Sequence, residues 1–365
     1  MKIDQIHFYV ENASRWRQWF TSQMGFEAVA PPNSDHDTHL EVVKSGEAEF
    51  LLYSAQNDNS PVAHYLKHHP PGVAGITFCL SQLEEHLEAM LSAGVTLLQP
   101  LETLKTEKGC LRWCQILGIT GLTHTLVERE GKTPLLPWLP QWVEKSPSSS
   151  SRGSYVTGID HLVLNVAAGA LEPTVQWYEQ VFGWERKQAF SIETPRSGLH
   201  SQVLVASGGK VQFPINEPSS DNSQIQEFLD FNRGSGIQHI ALNTPEITEV
   251  TLALKQLGVP FLRVPETYYE QLQKRFSELP FSAAEWAKIQ QAQVLVDCEA
   301  QEENSLSSPD GARSPLLLQI FTQPIFAEPT FFFELIERRD RAKGFGEGNF
   351  RALFEAIERE QQRRG

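Results

Sequence analysis

The chain repeats itself. Ile3-Asp-Gln-Ile-His-Phe-Tyr-Val10 returns as Ile159-Asp-His-Leu-Val-Leu-Asn-Val166, and each copy leads through Trp19-Phe20 or Trp177-Tyr178 to Met24-Gly-Phe26 or Phe182-Gly-Trp184. Further on, Gly72-Val-Ala-Gly-Ile-Thr-Phe78 returns as Gly236-Ile-Gln-His-Ile-Ala-Leu242, and Leu126-Val-Glu-Arg129 as Leu335-Ile-Glu-Arg338. Such a duplication constrains architecture before any local propensity does, because both copies must fold alike. Between them Ser146-Pro-Ser-Ser-Ser-Ser-Arg-Gly-Ser154 is small and polar, the composition of a flexible linker. The expected division is an N-terminal domain over 1–145, a linker over 146–154 and a C-terminal domain over 155–365.

Within each copy the pattern reads strand, helix, then several strands. Ala48-Glu-Phe-Leu-Leu-Tyr53 and His200-Ser-Gln-Val-Leu-Val205 carry period-2 signals of half-buried strands. A chain of 365 residues accommodates four βαβββ units, two per half, each pair curling a mixed sheet around a cavity. The fold class expected is therefore α+β.

The two copies differ where chemistry can reside. Glu334 lies in the aromatic run Pro329-Thr-Phe-Phe-Phe-Glu-Leu-Ile, where an ionised carboxylate left unpaired in a dry interior is costly. His161 and His239 each interrupt an apolar strand pattern. At the matching positions the first half has Gln5 for His161, Gly75 for His239 and Thr125 for Glu334. Two imidazoles and one carboxylate make the facial triad of non-haem Fe(II) oxygenases. The same donors suit zinc, so ligand type alone leaves the metal open. The first half is expected to be metal-free, with His7 a core or interface histidine. His36, His39, His64, His68 and His69 fall in polar or proline-rich stretches, and His124 and His200 have no repeat counterpart. His86 sits on an amphipathic helix. Solvated surface is the expectation for most of these.

The charge balance of −14, from 31 basic and 45 acidic residues, disfavours a nucleic-acid or anionic-membrane partner. Met1-Lys-Ile-Asp-Gln-Ile-His does not read as a charged leader before an apolar segment, and no run approaches a membrane span. Cys79, Cys110, Cys114 and Cys298 show no Cys-x-x-Cys spacing and read as reduced thiols of a cytoplasmic protein.

Asn216, in Pro214-Ile-Asn-Glu-Pro218, and Gln319, in Leu316-Leu-Leu-Gln-Ile-Phe321, are amides in apolar surroundings. Each must pair with a ligand or with backbone. Near the C-terminus Phe350, Leu353, Phe354 and Ile357 recur at i, i+3, i+4 and i+7, an amphipathic helix expected over 347–362. Glycines 344, 346 and 348 before it suit a hinge for a lid.

Taken together, Ile-Asp-His161, Pro-Ile-Asn-Glu-Pro218, Gly-Ile-Gln-His239, Leu-Gln-Ile-Phe321, Phe-Phe-Glu334 and Gly-Phe-Gly-Glu-Gly-Asn-Phe350 closely resemble the 4-hydroxyphenylpyruvate dioxygenase family. That family lies in the vicinal-oxygen-chelate superfamily, and the likeness spans essentially the whole chain. The resemblance implies Fe(II) held by His161, His239 and Glu334, with Ser201, Asn216, Gln238 and Gln319 as a polar shell for substrate. It also implies aromatic walls and a lid from Phe321, Phe332, Phe345, Phe350 and Phe354. The implied reaction takes 4-hydroxyphenylpyruvate and O2 to homogentisate and CO2, by oxidative decarboxylation, ring hydroxylation and side-chain migration, in a homo-oligomeric protein. One departure stands out: the family usually has Gln three residues after the Glu ligand, where this chain has Glu337. The alternatives are a 4-hydroxymandelate synthase, against which a bulky Phe350 argues, and an extradiol ring-cleaving dioxygenase, which would not carry this lid. A metal-free aromatic-binding protein of the same fold is the third. The segment 299–314 is expected to be a mobile, non-catalytic loop.

Overall fold

The computed structural model describes residues 1–29, 36–134, 136, 154–194, 197–209, 211–275, 281–298, 315–346 and 349. The linker before Ser154, the 299–314 segment, Phe350, Phe354 and, apart from Asn349, the expected lid helix lie outside the described residues.

The duplication appears as two eight-stranded mixed sheets of identical topology. In the first half β1 (Lys2–Tyr9), α1 (Ala13–Ser22), β2 (Glu27–Val29), β3 (Thr38–Ser45) and β4 (Ala48–Ala55) make one βαβββ unit. After α2 (Pro61–His68), β5 (Gly72–Cys79), α3 (Leu83–Ser92), β6 (Leu97–Thr106), β7 (Gly109–Leu117) and β8 (Thr123–Gly131) make the second. The other half opens with β9 (Gly158–Asn165), α4 (Leu171–Phe182), β10 (Glu185–Glu193), β11 (Gly198–Val205), β12 (Gln212–Pro218) and α5 (Gln224–Asn232). It continues with β13 (Gly236–Asn243), α6 (Ile247–Gln256), α7 (Glu266–Arg275), α8 (Ala283–Ala292), β14 (Leu295–Cys298), β15 (Leu316–Phe321) and β16 (Phe332–Arg339). Sheet orders are β2-β3-β4-β1-β5-β8-β7-β6 and β10-β11-β12-β9-β13-β16-β15-β14. The last unit departs from the repeat in carrying α7 and α8 between α6 and β14.

Helix starts follow from local chemistry. Asn12, Ser60, Ser223 and Ser282 accept from backbone amides of the first turns of α1, α2, α5 and α8, and Pro61 opens α2, where its missing N–H is not needed.

Strand alternation decides which residues form the core. Ile6, Phe8, Ile76, Phe78 and Leu126 of one sheet share a buried cluster with Leu162, Leu164, Ile240, Leu242 and Phe333 of the other. The sheets are thus joined through these apolar faces. Phe333 stacks on Phe50 at 5.8 Å and meets Phe20 edge-on at 5.9 Å, while Tyr178 and Trp184 stack at 4.9 Å. Contacts of this kind contribute roughly 0.5–1.5 kcal/mol each beyond area burial. His124, expected at the surface, is fully buried in this layer, with its Nε2 3.0 Å from the Tyr178 hydroxyl of the other half. His39 likewise has strand context, on β3. His7 is buried as expected, 2.7 Å from Thr77 Oγ1 and stacked on Tyr53. Cys79, Cys110 and Cys114 are free thiols. No helix among the described residues is long and apolar enough to cross a membrane.

Candidate metal centre

Strands β9, β13 and β16 are neighbours in the sheet, and their register brings the candidate ligands together. Ala241 of β13 lies opposite both His161 of β9 and Glu334 of β16. His239, two residues earlier, points to the same face. All three are buried, and one ligand atom of each falls within 4.8 Å of the others. Glu334 Oε2 is 3.4 Å from His161 Nε2 and 3.6 Å from His239 Nε2. None of these three atoms has a hydrogen-bond partner of proper geometry. Buried polar atoms are normally paired, so three unpaired ones converging on a point fit a bound cation. The repeat makes the contrast visible, because Gln5 and Thr125 lie opposite Thr77 in the first half, where His161 and Glu334 lie opposite Ala241.

Each histidine is oriented from behind. Asp160 Oδ1 lies 2.8 Å from His161 Nδ1, and Gln238 Oε1 lies 3.1 Å from His239 Nδ1. Both oxygens accept, which fixes the Nδ1–H tautomer and turns each Nε2 lone pair toward the ligand point. Adjacent strand residues should face opposite ways, and a pair of bulges removes that obstacle. Pairing of β9 with β13 skips Asp160 between His161 and Ile159, and skips Gln238 between Ile237 and His239. Each extra residue is re-aimed toward the histidine that follows it. Glu334 is oriented too, since Gln319 Nε2 donates to its Oε1 at 2.8 Å.

The charges form a coupled set. Burial disfavours the imidazolium of His161, but Glu334 and Asp160 outweigh that and hold its pKa up at about 9. Burial likewise opposes charge on Glu334, yet the two imidazoles hold it down at about 2. His239 is lowered by burial and by the charge on His161. Burial also opposes charge on Asp160, and the Arg338 fork with His161 overcomes it, leaving the carboxylate below its ordinary range.

The expected substrate residues separate into groups. Ser201 of β11 lies opposite Asn216 of β12, which lies opposite Asn165 of β9. Asn216 Nδ2 donates to Asn165 Oδ1 at 3.3 Å, while Ser201 Oγ and Asn165 Nδ2 are buried and unpaired. Asn165 is a further candidate that the sequence motifs did not single out; its signal was its place four residues after His161 on the same strand. Phe332 stacks on His239 at 4.8 Å, Phe321 stands edge-on at 6.4 Å, and Phe345 meets His161 edge-on at 5.2 Å. Gln238 and Phe332 line a cavity of about 30 Å³ with Phe228 and Thr330. Gln319 is engaged within the protein: besides Glu334 it donates to Phe345 O at 3.1 Å and accepts from Asn349 Nδ2 at 2.8 Å. Asn349 in turn accepts from the Tyr268 hydroxyl at 3.0 Å. The unusual Glu337 points away from the site, where its Oε2 accepts from Ile247 N at the start of α6 at 2.8 Å and its Oε1 accepts from Arg339. A carboxylate suits a helix N-terminus.

The glyoxalase/bleomycin resistance protein/dioxygenase superfamily model matches residues 2–110 and 158–281. Among curated proteins, the 4-hydroxyphenylpyruvate dioxygenase of Legionella pneumophila is 35% identical over 99% of this chain and 94% of its own length. The chain belongs to the 4-hydroxyphenylpyruvate dioxygenase family. It is accordingly an enzyme, of a superfamily whose members depend on a metal, and His161, His239 and Glu334 form its candidate metal site. An uncharacterized protein of Synechocystis is 36% identical over 98% of this chain and 97% of its own. Among solved structures, a triply substituted 4-hydroxymandelate synthase from Streptomyces coelicolor superposes with a TM-score of 0.81 at 25% identity, over 99% of this chain and 98% of that one.

Proposed function

We propose that the protein is an Fe(II)-dependent dioxygenase converting 4-hydroxyphenylpyruvate and O2 to homogentisate and CO2. The observation that carries this reading is the convergence of three unpaired, buried atoms, His161 Nε2, His239 Nε2 and Glu334 Oε2. Those residues would hold the metal, which when bound supplies the redox chemistry that O2 and an α-keto acid require. The carboxyl carbon leaves as CO2; the former keto carbon gains one oxygen and the ring the other, so the equation balances.

The chain's own residues bind, orient and exclude water. Asp160 and Gln238 hold the two imidazoles, and Gln319 holds the carboxylate, so the ligand atoms are pre-aimed. Phe332 and Phe345 pack against the imidazoles and keep the surroundings dry. Ser201, Asn216, Asn165 and the amide of Gln238 offer hydrogen bonds to the polar ends of the substrate. Phe321 extends the aromatic wall beside His239, and Phe350 and Phe354, outside the described residues, are assigned to it by the family resemblance alone. The 155–365 half is the catalytic one, and 1–145 serves as its metal-free support, because Gln5, Gly75 and Thr125 stand where the ligands would be.

The second reading is 4-hydroxymandelate formation from the same substrate, favoured by the likeness to the solved Streptomyces synthase. One experiment separates them. Full-length protein is loaded anaerobically with Fe(II), given 4-hydroxyphenylpyruvate and O2, and its products identified. Homogentisate with one CO2 per keto acid is expected. 4-Hydroxymandelate would select the second reading, and no keto-acid consumption by protein that retains iron would refute both. Metal analysis of chelator-free preparations distinguishes iron from zinc.

A further inference from the structure

The two halves share one more feature, and only one half uses it near the ligands. In the first half Asp4 is skipped by the β1–β5 register between Ile3 and Gln5, just as Asp160 is skipped between Ile159 and His161. Arg129 of β8 donates to Asp4 Oδ2 from Nε at 3.2 Å and Nη2 at 2.8 Å. At the matching place on β16, Arg338 donates to both oxygens of Asp160, from Nε at 2.8 Å and Nη2 at 2.7 Å. The third arm of each guanidinium grips the chain that follows its own strand. Arg129 Nη1 donates to Thr133 Oγ1 at 3.1 Å and Pro134 O at 2.7 Å. Arg338 Nη1 donates to Ala342 O at 3.3 Å and Gly344 O at 2.8 Å.

A bulged aspartate gripped by an arginine is therefore a fastening of the fold, present also in the half that has Gln5, Gly75 and Thr125 at the matching positions. In the first half the residue after the aspartate is Gln5, which bonds to Glu49. In the second half it is His161, and the same aspartate also accepts from its Nδ1. The arginine's third arm meanwhile ends one residue before Phe345, whose ring lies against His161 and whose carbonyl accepts from Gln319.

We propose that Arg338 is a positioning residue which, through Asp160, sets the orientation of His161 toward the metal and, through the carbonyls of Ala342 and Gly344, holds the turn that seats Phe345 on that same imidazole. Arg338 thereby ties the support of His161 to the 342–344 turn. The inference rests on His161 being a metal ligand.

The repeat supplies its own control. Fe(II) affinity of the full chain is measured anaerobically by chelator competition for wild type, Asp160→Asn, Arg338→Lys, Asp4→Asn and Arg129→Lys, alongside Tm and amide exchange. Asp160→Asn and Arg338→Lys are expected to weaken Fe(II) about 10- to 100-fold, the usual cost of losing support behind a metal ligand. Arg338→Lys should also speed amide exchange at 342–346 about tenfold. Asp4→Asn and Arg129→Lys should lower Tm comparably while leaving Fe(II) affinity within twofold. If Asp160→Asn does not fold, Arg338→Lys, which keeps the charge and loses only the fork, reads the same coupling. Wild-type affinity in the folded second-half variants, or an equal loss in the first-half ones, overturns the inference while the metal assignment stands. A wild-type chain that does not hold Fe(II) overturns that assignment and this inference with it.

Discussion

Metal binding should release one proton from this protein, and the number follows from the site's electrostatics. Without metal, His161 is held at about 9 and Glu334 at about 2, while His239 is lowered. A group whose midpoint is raised to about 9 is mostly protonated at pH 7.5, so most metal-free molecules should carry the His161 proton. A metal ligand must be unprotonated at the coordinating atom. Binding at pH 7.5 therefore displaces about one proton, from His161, and none from Glu334 or His239. The sign is fixed by the raised pKa: apparent affinity climbs about tenfold per pH unit across neutrality and levels off once His161 deprotonates unaided near pH 9. The assay is anaerobic calorimetry of Fe(II) binding at one pH in two buffers of different ionisation heat. The difference in observed heat divided by that in buffer heat gives the proton count. Zero protons would mean that the His161–Glu334 ion pair does not exist in the metal-free state. Two would mean that His239 is charged as well. Either result refutes the charge assignment.

Other consequences are open to test. Gly346 has φ +73°, and a Cβ there would come within 2.1 Å of Gln319 Oε1, which Asn349 already occupies. Gly346→Ala should cost about 1–3 kcal/mol and disturb the Gln319–Glu334 bond, seen as weaker Fe(II) binding; unchanged affinity and Tm would show that this turn accommodates a side chain. Glu49 is buried, and burial, only partly offset by the Gln5 bond and Lys44, raises its carboxyl to about 7. A raised carboxyl binds its proton more tightly when folded, so wild-type stability should fall as pH rises from about 4.5 through 7. Glu49→Gln should abolish that fall and be more stable by up to about 3 kcal/mol at pH 8; a stability difference that does not change with pH would refute it. Phe350→Val should shift products from ring toward benzylic oxidation, about tenfold for each ~1.4 kcal/mol between the competing barriers. An unchanged product ratio at lower rate would reduce Phe350 to packing.

Much of this protein was legible before folding was considered. The repeat dictated two sheets of one topology, since similar sequences bury similar faces. The ligands stood out because His161, His239 and Glu334 interrupt apolar strands, and because Gln5, Gly75 and Thr125 replace them in the other copy. Those signals are local, and strand alternation carries them directly into space. What alternation could not supply came from register and from distant segments. It would have aimed Asp160 away from His161 and Gln238 away from His239; the two bulges, a property of pairing between β9 and β13, aim them at the imidazoles instead. Gln319 read equally well as a substrate contact, and only the fold brings Glu334, Phe345 and Asn349 around its amide. His124 looked like surface until Tyr178, 54 residues away in the other half, covered it. Sequence by itself settled which residues can bear charge and which faces must be dry. The partners that make a buried charge tolerable come from elsewhere in the chain, so tertiary structure alone decided how the site is held.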